Sequence, residues 1–486
     1  MQTSSPTETP IASVKSNTGE QPSVVLPRAL LTTRFDVPEQ EALVSGAVPE
    51  WLNGDLIRTC PVKFDGPNWQ ARHWFDALGM MYAFGVSDGR VTYRSKLLDS
   101  NVRKSVDAGR KVGGFDTVAG RSFLRRVFQP VGEMTDNTNV NAIPMGDDVV
   151  ALTETSHQWI LDRKTLEAKT LVRYVDDRFS GAAMIAHPEY DPVRKEIVGL
   201  AIGYGRKPTI SVYSHAPSSR TRKHIATWHT DRLPYQHSFF LTPNYAVIIA
   251  HPFDVAPTSL LFKDGFIEHF EWQKEKGSRF IIVDRRTGAL REVETEAFFT
   301  FHTAHAEERN DGTLVLDLLA YEDPGIVQSL RLSAMKENKL STLVPRLLRF
   351  TVGPDAKRVT PESLFDARFE FPTRDLKRSF GTAVGVLFGA RIFGGEGERS
   401  SEIQRIDFGS GTIKTYSEPF STLGEPVFVA KPGSSREGDG VLLTVGSSTK
   451  EKRSVMVVLD ATTLEPLAKA SVEENIGMGF HGNFFR

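Results

Sequence analysis

The stretch Leu161-Asp162-Arg163-Lys164-Thr165-Leu166 decides the fold: an aliphatic run ends in aspartate and a few polar residues turn the chain back. The Asp side chain can accept from backbone N–H groups two residues on, and the Thr, Ser or Gly that follows tolerates the tight reversal. The same grammar returns at Val283-Asp284-Arg285-Arg286-Thr287-Gly288, Ile406-Asp407-Phe408-Gly409-Ser410-Gly411-Thr412 and Leu459-Asp460-Ala461-Thr462-Thr463-Leu464, with a related Tyr190-Asp191-Pro192-Val193. Met80 to Val86, then Ser87-Asp88-Gly89, then Val91 to Arg94 reads as a further hairpin with a Gly-containing turn. Such copies at irregular spacing predict an all-β radial array of small antiparallel sheets with large insertions. A β-propeller is the natural candidate, because each repeat buries no face alone and the array protects its strand edges. On this signal a two-sheet sandwich stays open.

Outward from these repeats, residues 1–26 are rich in Ser, Thr, Pro, Gln and Glu and read as a disordered leader, leaving 27–486 as a single propeller domain. The strand pattern begins near Pro49-Glu50-Trp51-Leu52-Asn53-Gly54. A net charge of -1 gives no reason to invoke nucleic acid, and the single cysteine, Cys60, excludes a disulfide framework or a Cys-based metal site. Any metal must therefore take nitrogen or oxygen ligands. No run of about 18 apolar residues and no secretory signal core occurs, so a cytoplasmic protein is expected. Oligomeric state leaves no trace in the sequence. The 31 Phe against 10 Tyr and 6 Trp favour the ring without a polar handle, which suits a core or an apolar tunnel.

Three insertions break the repeats. Residues 105–128 end in Phe123-Leu124-Arg125-Arg126-Val127-Phe128, and 257–272 carry Leu260, Leu261, Phe262, Phe266, Ile267, Phe270 and Trp272 among a few charges. Both read either as core segments or as interfacial patches for peripheral membrane contact. Ile326 to Leu340 reads as a surface helix.

Twelve histidines occur, none in the HExxH spacing of a zinc protease. His187, His237, His302 and His481 each lie at the edge of a strand-like run, and His187 precedes Pro188, which biases it to an extended backbone. A lone His among aromatics is more often a core side chain than a ligand. Four imidazoles from distant strands can meet only at a hub, such as a propeller axis. Neutral imidazole suits iron, zinc and copper alike, and the chemistry that would want four of them there is an iron site, because an octahedral ion held by four nitrogens keeps positions open for O2.

Trp74-Phe75-Asp76-Ala77-Leu78-Gly79-Met80, Thr135-Asp136-Asn137-Thr138-Asn139-Val140-Asn141, Ala186-His187-Pro188, His237-Ser238-Phe239-Phe240-Leu241, Phe301-His302 and Phe480-His481-Gly482 together resemble the carotenoid cleavage oxygenases. The likeness spans about residue 38 to the terminus and is greatest to the branch of β-carotene cleavers and the retinoid isomerase. It implies a seven-bladed β-propeller with helical and loop insertions forming a dome over an axial Fe(2+), held by His187, His237, His302 and His481. It further implies three glutamates behind the ligands, at positions matching Glu154, Glu370 and Glu425. A carboxylate there accepts the other ring N–H, fixing the imidazole tautomer and raising its basicity. One departure is His305, in Phe301-His302-Thr303-Ala304-His305, where the family commonly carries Asn.

The implied reaction is cleavage of a conjugated C=C bond of a carotenoid or apocarotenoid with O2 as co-substrate, giving two carbonyl products. No catalytic residue beyond the iron site is expected, since positioning supplies much of the catalysis. Stilbene-cleaving relatives place a Lys and a Tyr where this chain has Thr153 and Leu97, which weighs against a phenolic substrate. Retinoid isomerisation and, from another class, an apolar-ligand-binding propeller without chemistry are the alternatives.

Overall fold

The aspartate turns form as their chemistry dictates. Asp284 Oδ1 accepts from the N–H groups of Arg286 and Thr287, both at 2.8 Å. Asp162 does the same for Lys164 and Thr165, Asp460 for Thr462 and Thr463, and Asp191 for Val193 and Arg194, while Asp407 accepts from Ser410. In the Ser87-Asp88-Gly89 hairpin both Asp88 and Gly89 adopt positive φ, 49° and 77°, the backbone that a two-residue turn between twisted strands requires.

These turns join seven antiparallel sheets into a β-propeller, described here from a computed structural model for residues 30–486 apart from 123, 125–133, 177, 262–264, 337–343, 392–400, 419–420 and 449–452. The 1–26 leader lies outside the described residues. The first blade runs Val37–Glu41, Arg90–Leu97, Leu78–Ser87, Gly54–Lys63 and Gly482–Phe485 from its outer to its inner strand. The chain's last strand is thus the innermost strand of its first sheet. The second strand, Leu43–Gly46, does the converse, pairing with Pro466–Val472 at the outer edge of the seventh blade. Both ends of the chain therefore close the ring, which protects the edges where the circle meets.

The central strands of the blades are buried on both faces, as sheets stacked against neighbouring sheets must be. Leu314–Tyr321 is buried along its whole length, and so is Gly440–Ser448. Rings such as Phe280, Phe298 and Phe350 fill the space between the fourth and fifth blades.

The insertions form the cover over one end of the axis. Two small sheets belong to it, Asp65–Gly66 with Trp69–Gln70 and Leu233–Pro234 with Phe253–Val255 and Glu271–Trp272. In the segment 257–272, Leu260, Ile267 and Phe270 are buried in the core, which favours the core reading for these side chains. The segment 105–128 starts in a helix, Asn101–Asp107, capped by Ser100 and by the Asp136 carboxylate, and continues as a loop; Phe123 and 125–128 lie outside the described residues. The surface helix expected over Ile326 to Leu340 is instead two short helices, Gly325–Ser329 and Leu332–Lys336, and residues 337–340 lie outside the described residues. Ile326, Val327, Leu330, Leu332 and Met335 pack inward from these helices. Their apolar residues are too closely spaced for a face in water; they are the underside of the cover.

Candidate metal centre

Each histidine sits on, or close to, an inner blade strand. His187 lies between Ala183–Met184 and Glu189–Asp191, His237 shortly before Phe240–Leu241, His302 within Phe299–Glu308, and His481 immediately before Gly482–Phe485. Inner strands of a propeller face the axis, so side chains far apart in sequence meet: the ligand-capable nitrogens of the four histidines all lie within 4.8 Å of one another. Ring centroids of His187 stand 4.6 Å from His237, 5.3 Å from His302 and 4.3 Å from His481.

His305 is not in this group. It is buried on the same strand, opposite Asp317, and the strand shifts register twice between Thr300 and His305, so that His302 alone reaches the axis. Burial first, and the charge of Arg374 second, hold the His305 imidazole well below its usual range.

The three glutamates each take one ring. His237 Nδ1 is 2.6 Å from Glu154 Oε1, His302 Nδ1 is 2.6 Å from Glu370 Oε2, and His481 Nδ1 is 2.8 Å from Glu425 Oε1. Ionised carboxylates only accept, so each ring donates from Nδ1 and keeps a lone pair on Nε2. Burial, with the neighbouring imidazoles adding to it, holds His187 and His481 well below the ordinary range, and burial likewise lowers His237 against the pull of Glu154. Neutral imidazole is the form that ligates a metal.

A further layer, which sequence reasoning missed, holds the glutamates. Tyr235 Oη donates to both oxygens of Glu154, at 2.9 and 3.0 Å, and Tyr321 Oη donates to Glu370 Oε1 at 2.7 Å. Burial and the adjacent carboxylates push both phenols well above their usual range, so they remain donors. Glu425 is held by the Gly482 N–H at 3.2 Å and by the fully buried Arg58, whose Nη2 is 3.4 Å away. Burial nonetheless pushes the Glu425 carboxyl up to about 7. Tyr235 had a sequence signal, standing two residues before His237 and so on the same side of an extended chain. Tyr321 and Arg58 had none.

Phe371, next to Glu370, adopts φ 54°, a left-handed backbone that non-glycine residues rarely hold without over-determination by their surroundings. Its ring stands 5.5 Å from that of His302 and 5.1 Å from that of His481. It forms part of a cavity of about 600 Å³ that reaches from the histidines into the cover, walled beside them by Trp74, Phe75, Phe115, Phe301 and Phe480. Thr153 lines this cavity, whereas Leu97 packs on the core of the first blade and is absent from its walls. Thr153 alone therefore bears on whether a phenol could be gripped.

The donor set fits a cation. His302 Nε2 and His481 Nε2 approach to 3.2 Å with both Nδ1 atoms already committed, and the buried Nε2 of His187 has no hydrogen-bond partner among the described residues. Converging lone pairs without a donor between them repel, and a metal ion is what such a set accommodates.

The family model described as retinal pigment epithelial membrane protein matches residues 30–486. The chain belongs to this family, the carotenoid oxygenases. Among carotenoid oxygenases it is 28% identical to the mitochondrial carotenoid-cleaving dioxygenase of Macaca fascicularis, covering 94% of both chains. It is 28% identical to the beta,beta-carotene 15,15'-dioxygenase of Rattus norvegicus, over 91% of this chain and 88% of that one. The crystal structure of cobalt-substituted Synechocystis ACO, an apocarotenoid oxygenase, superposes with a TM-score of 0.82 at 25% identity, covering 94% of this chain and 98% of the other. The chain is an oxygenase of this family, and the four-histidine group is compatible with a metal site.

Proposed function

We propose that the protein is a non-haem Fe(II) dioxygenase that cleaves a conjugated C=C bond of a carotenoid or apocarotenoid with O2, giving two carbonyl products. The observation that carries this reading is the convergence of four imidazoles, three of them backed by carboxylates, at the inner end of an apolar aromatic cavity. His187, His237, His302 and His481 would hold the iron, and Glu154, Glu370 and Glu425 orient three of the rings. When bound, iron supplies the redox chemistry that lets O2 react with a closed-shell polyene.

The chain's own residues do the rest by placement. Phe75, Phe301 and Phe480 wall the cavity beside the histidines, so a rod-like polyene lies along aromatic faces and water is kept from the reacting bond. Tyr235 and Tyr321 hold their protons throughout and act on the carboxylates alone. Since the substrate dissolves in lipid, the cover segment 105–128 would set the cavity mouth against a bilayer, whereas Leu260, Ile267 and Phe270 of the segment 257–272 belong to the core. Exposed Leu124 and Lys111 support that contact from the first segment. Among the described residues no helix is long and apolar enough to cross a membrane.

The test is aerobic incubation of the iron-loaded protein with β-carotene, several apocarotenals and resveratrol, followed by product chromatography and oxygen measurement. Aldehydes from a carotenoid or apocarotenal with O2 consumed are expected. Cleavage of resveratrol alone, or a retinoid isomer formed without oxygen uptake, would replace this reading. A protein that takes up no iron on anaerobic reconstitution would be a binding propeller instead.

A further inference from the structure

Asp76 is a buried carboxylate in the wall of the cavity that, among the described residues, pairs with no cation. Its side chain is 6% exposed and accepts from one loop of the cover. Phe115 N donates to Oδ1 at 2.5 Å, Asp116 N to Oδ2 at 3.2 Å, Thr117 N to Oδ2 at 2.9 Å and Thr117 Oγ1 to Oδ2 at 2.7 Å. Both oxygens act as acceptors, a task an amide cannot duplicate because its NH2 would face donors. Glycine at 114 is required by the same contact: a Cβ there would meet Asp76 Oδ1 at 2.2 Å. A buried charge without a counter-ion costs stability, and a purely structural anchor could be built at lower cost from a hydroxyl.

What the contact fixes is a pair of rings. Asp76 adjoins Phe75, whose ring lies 5.2 Å from Phe480, 6.0 Å from Phe301 and 5.2 Å from Phe115. Phe480 and Phe301 are the neighbours of His481 and His302. The Phe115 backbone is held on its other side as well, its carbonyl accepting from Ile267 N at 2.9 Å, and its ring packs toward Tyr235 and Phe266. The carboxylate thus sets the distance of the Phe115 ring from the histidine group through one intervening phenylalanine.

We propose that Asp76 is a positioning residue: by holding the 113–117 loop it places Phe115 in the cavity wall and so selects which double bond of a polyene lies beside the four histidines. This rests on the polyene-cleaving function above.

The experiment uses the full-length iron-loaded protein with all-trans-β-carotene and an apocarotenal in detergent micelles, and reads the ratio of cleavage products. Asp76→Asn and Gly114→Ala perturb the contact from either side, and the glycine variant keeps the test alive if the asparagine variant does not fold. Each is expected to shift the ratio of alternative to main product by about fivefold, the factor that ~1 kcal/mol represents, at unchanged iron content. In a Phe115→Ala background, Asp76→Asn is expected to move the ratio no further. Variants that lose rate or stability but keep the wild-type ratio would overturn the inference, as would a full additional shift in the Phe115→Ala background. If the iron-loaded wild type cleaves neither polyene, the function itself fails and takes the inference with it; wild-type cleavage with an unmoved ratio overturns the inference alone.

Discussion

The Nε2 atoms of His302 and His481 stand 3.2 Å apart although 179 residues separate them, and the Nδ1 atom of each is held by its own glutamate. With both Nδ1 atoms donating to their carboxylates, the two Nε2 lone pairs face each other. A cation between the lone pairs would relieve this contact.

Full-length protein loaded anaerobically with Fe(II) is therefore expected to gain thermal stability, and His481→Ala and His302→Ala are expected to gain none. A ligand at a thousandfold excess over its Kd stabilises the native state by about 4 kcal/mol. The check is a thermal shift with and without Fe(II), combined with metal analysis. Point substitution is the right tool here, because deleting residues 481–486 would also remove Gly482–Phe485, the inner strand of the first blade.

Glu370→Gln is expected to weaken iron binding by about 10- to 100-fold, since the amide cannot hold His302 in one tautomer as the carboxylate does. Tyr321→Phe leaves the 2.6 Å Glu370–His302 bond in place and removes only the donor behind it, so a smaller loss is expected. Competition against a chelator of known affinity ranks the two. Equal losses would mean that the tyrosine, not the carboxylate, sets the ring.

How far the sequence could be read depends on which contacts are local. The aspartate turns were legible because Asp162 or Asp284 bonds to groups two and three residues away. The four histidines and three glutamates were legible through family motifs, not spacing, and the structure brings all seven together with each expected carboxylate on a ring. The cover was not legible. Ile326 to Leu340 looked like a surface helix because its partners, such as Trp74 and Phe480, lie far away in sequence within the same apolar cluster. Arg58 gave no sign of its role, which depends on Glu425, 367 residues on. The His302 and His305 ambiguity was resolved by register breaks that no periodicity displays.

Ring closure supplies a prediction about stability alone. Arg163 donates to the carbonyls of Phe485 at 2.6 Å and Arg486 at 2.9 Å, and its Nε reaches Asp55 Oδ2 at 2.8 Å, tying the second blade to the closing strand. Arg163→Ala is expected to lower stability by about 1–2 kcal/mol, with iron content retained, because it removes charge-assisted bonds remote from the histidines. Denaturant unfolding and metal analysis on the same preparation check both halves.

The last prediction concerns pH. Burial pushes the Asp76 carboxyl up to about 6, against the hydrogen bonds from Thr117, Asp116 and Phe115, with the nearby Asp116 carboxylate adding to the rise. Around it lie His73, which burial pushes down to about 4 so that it stays neutral until the acid end of this range, and Asp116, which is ion-paired with Arg331 at 2.9 Å and with Arg72 at 3.8 Å. An acid whose folded pKa lies above its unfolded value of 3.8 binds its proton more tightly in the native state. Between about pH 6 and pH 4 the native state therefore carries more protons than the unfolded one, and this group's contribution to stability rises as pH falls through that window. Thr117 Oγ1 can accept the bond it now donates, so the protonated form keeps the loop in place. Asp76→Asn has no such proton to bind. The stability of wild type relative to Asp76→Asn is expected to increase by about 2–3 kcal/mol from about pH 7 to pH 4, nearly two pKa units at about 1.4 kcal/mol each. Paired denaturant titrations across that range measure it, and a difference that stays flat or falls toward acid would mean that Asp76 is not held as the structure holds it.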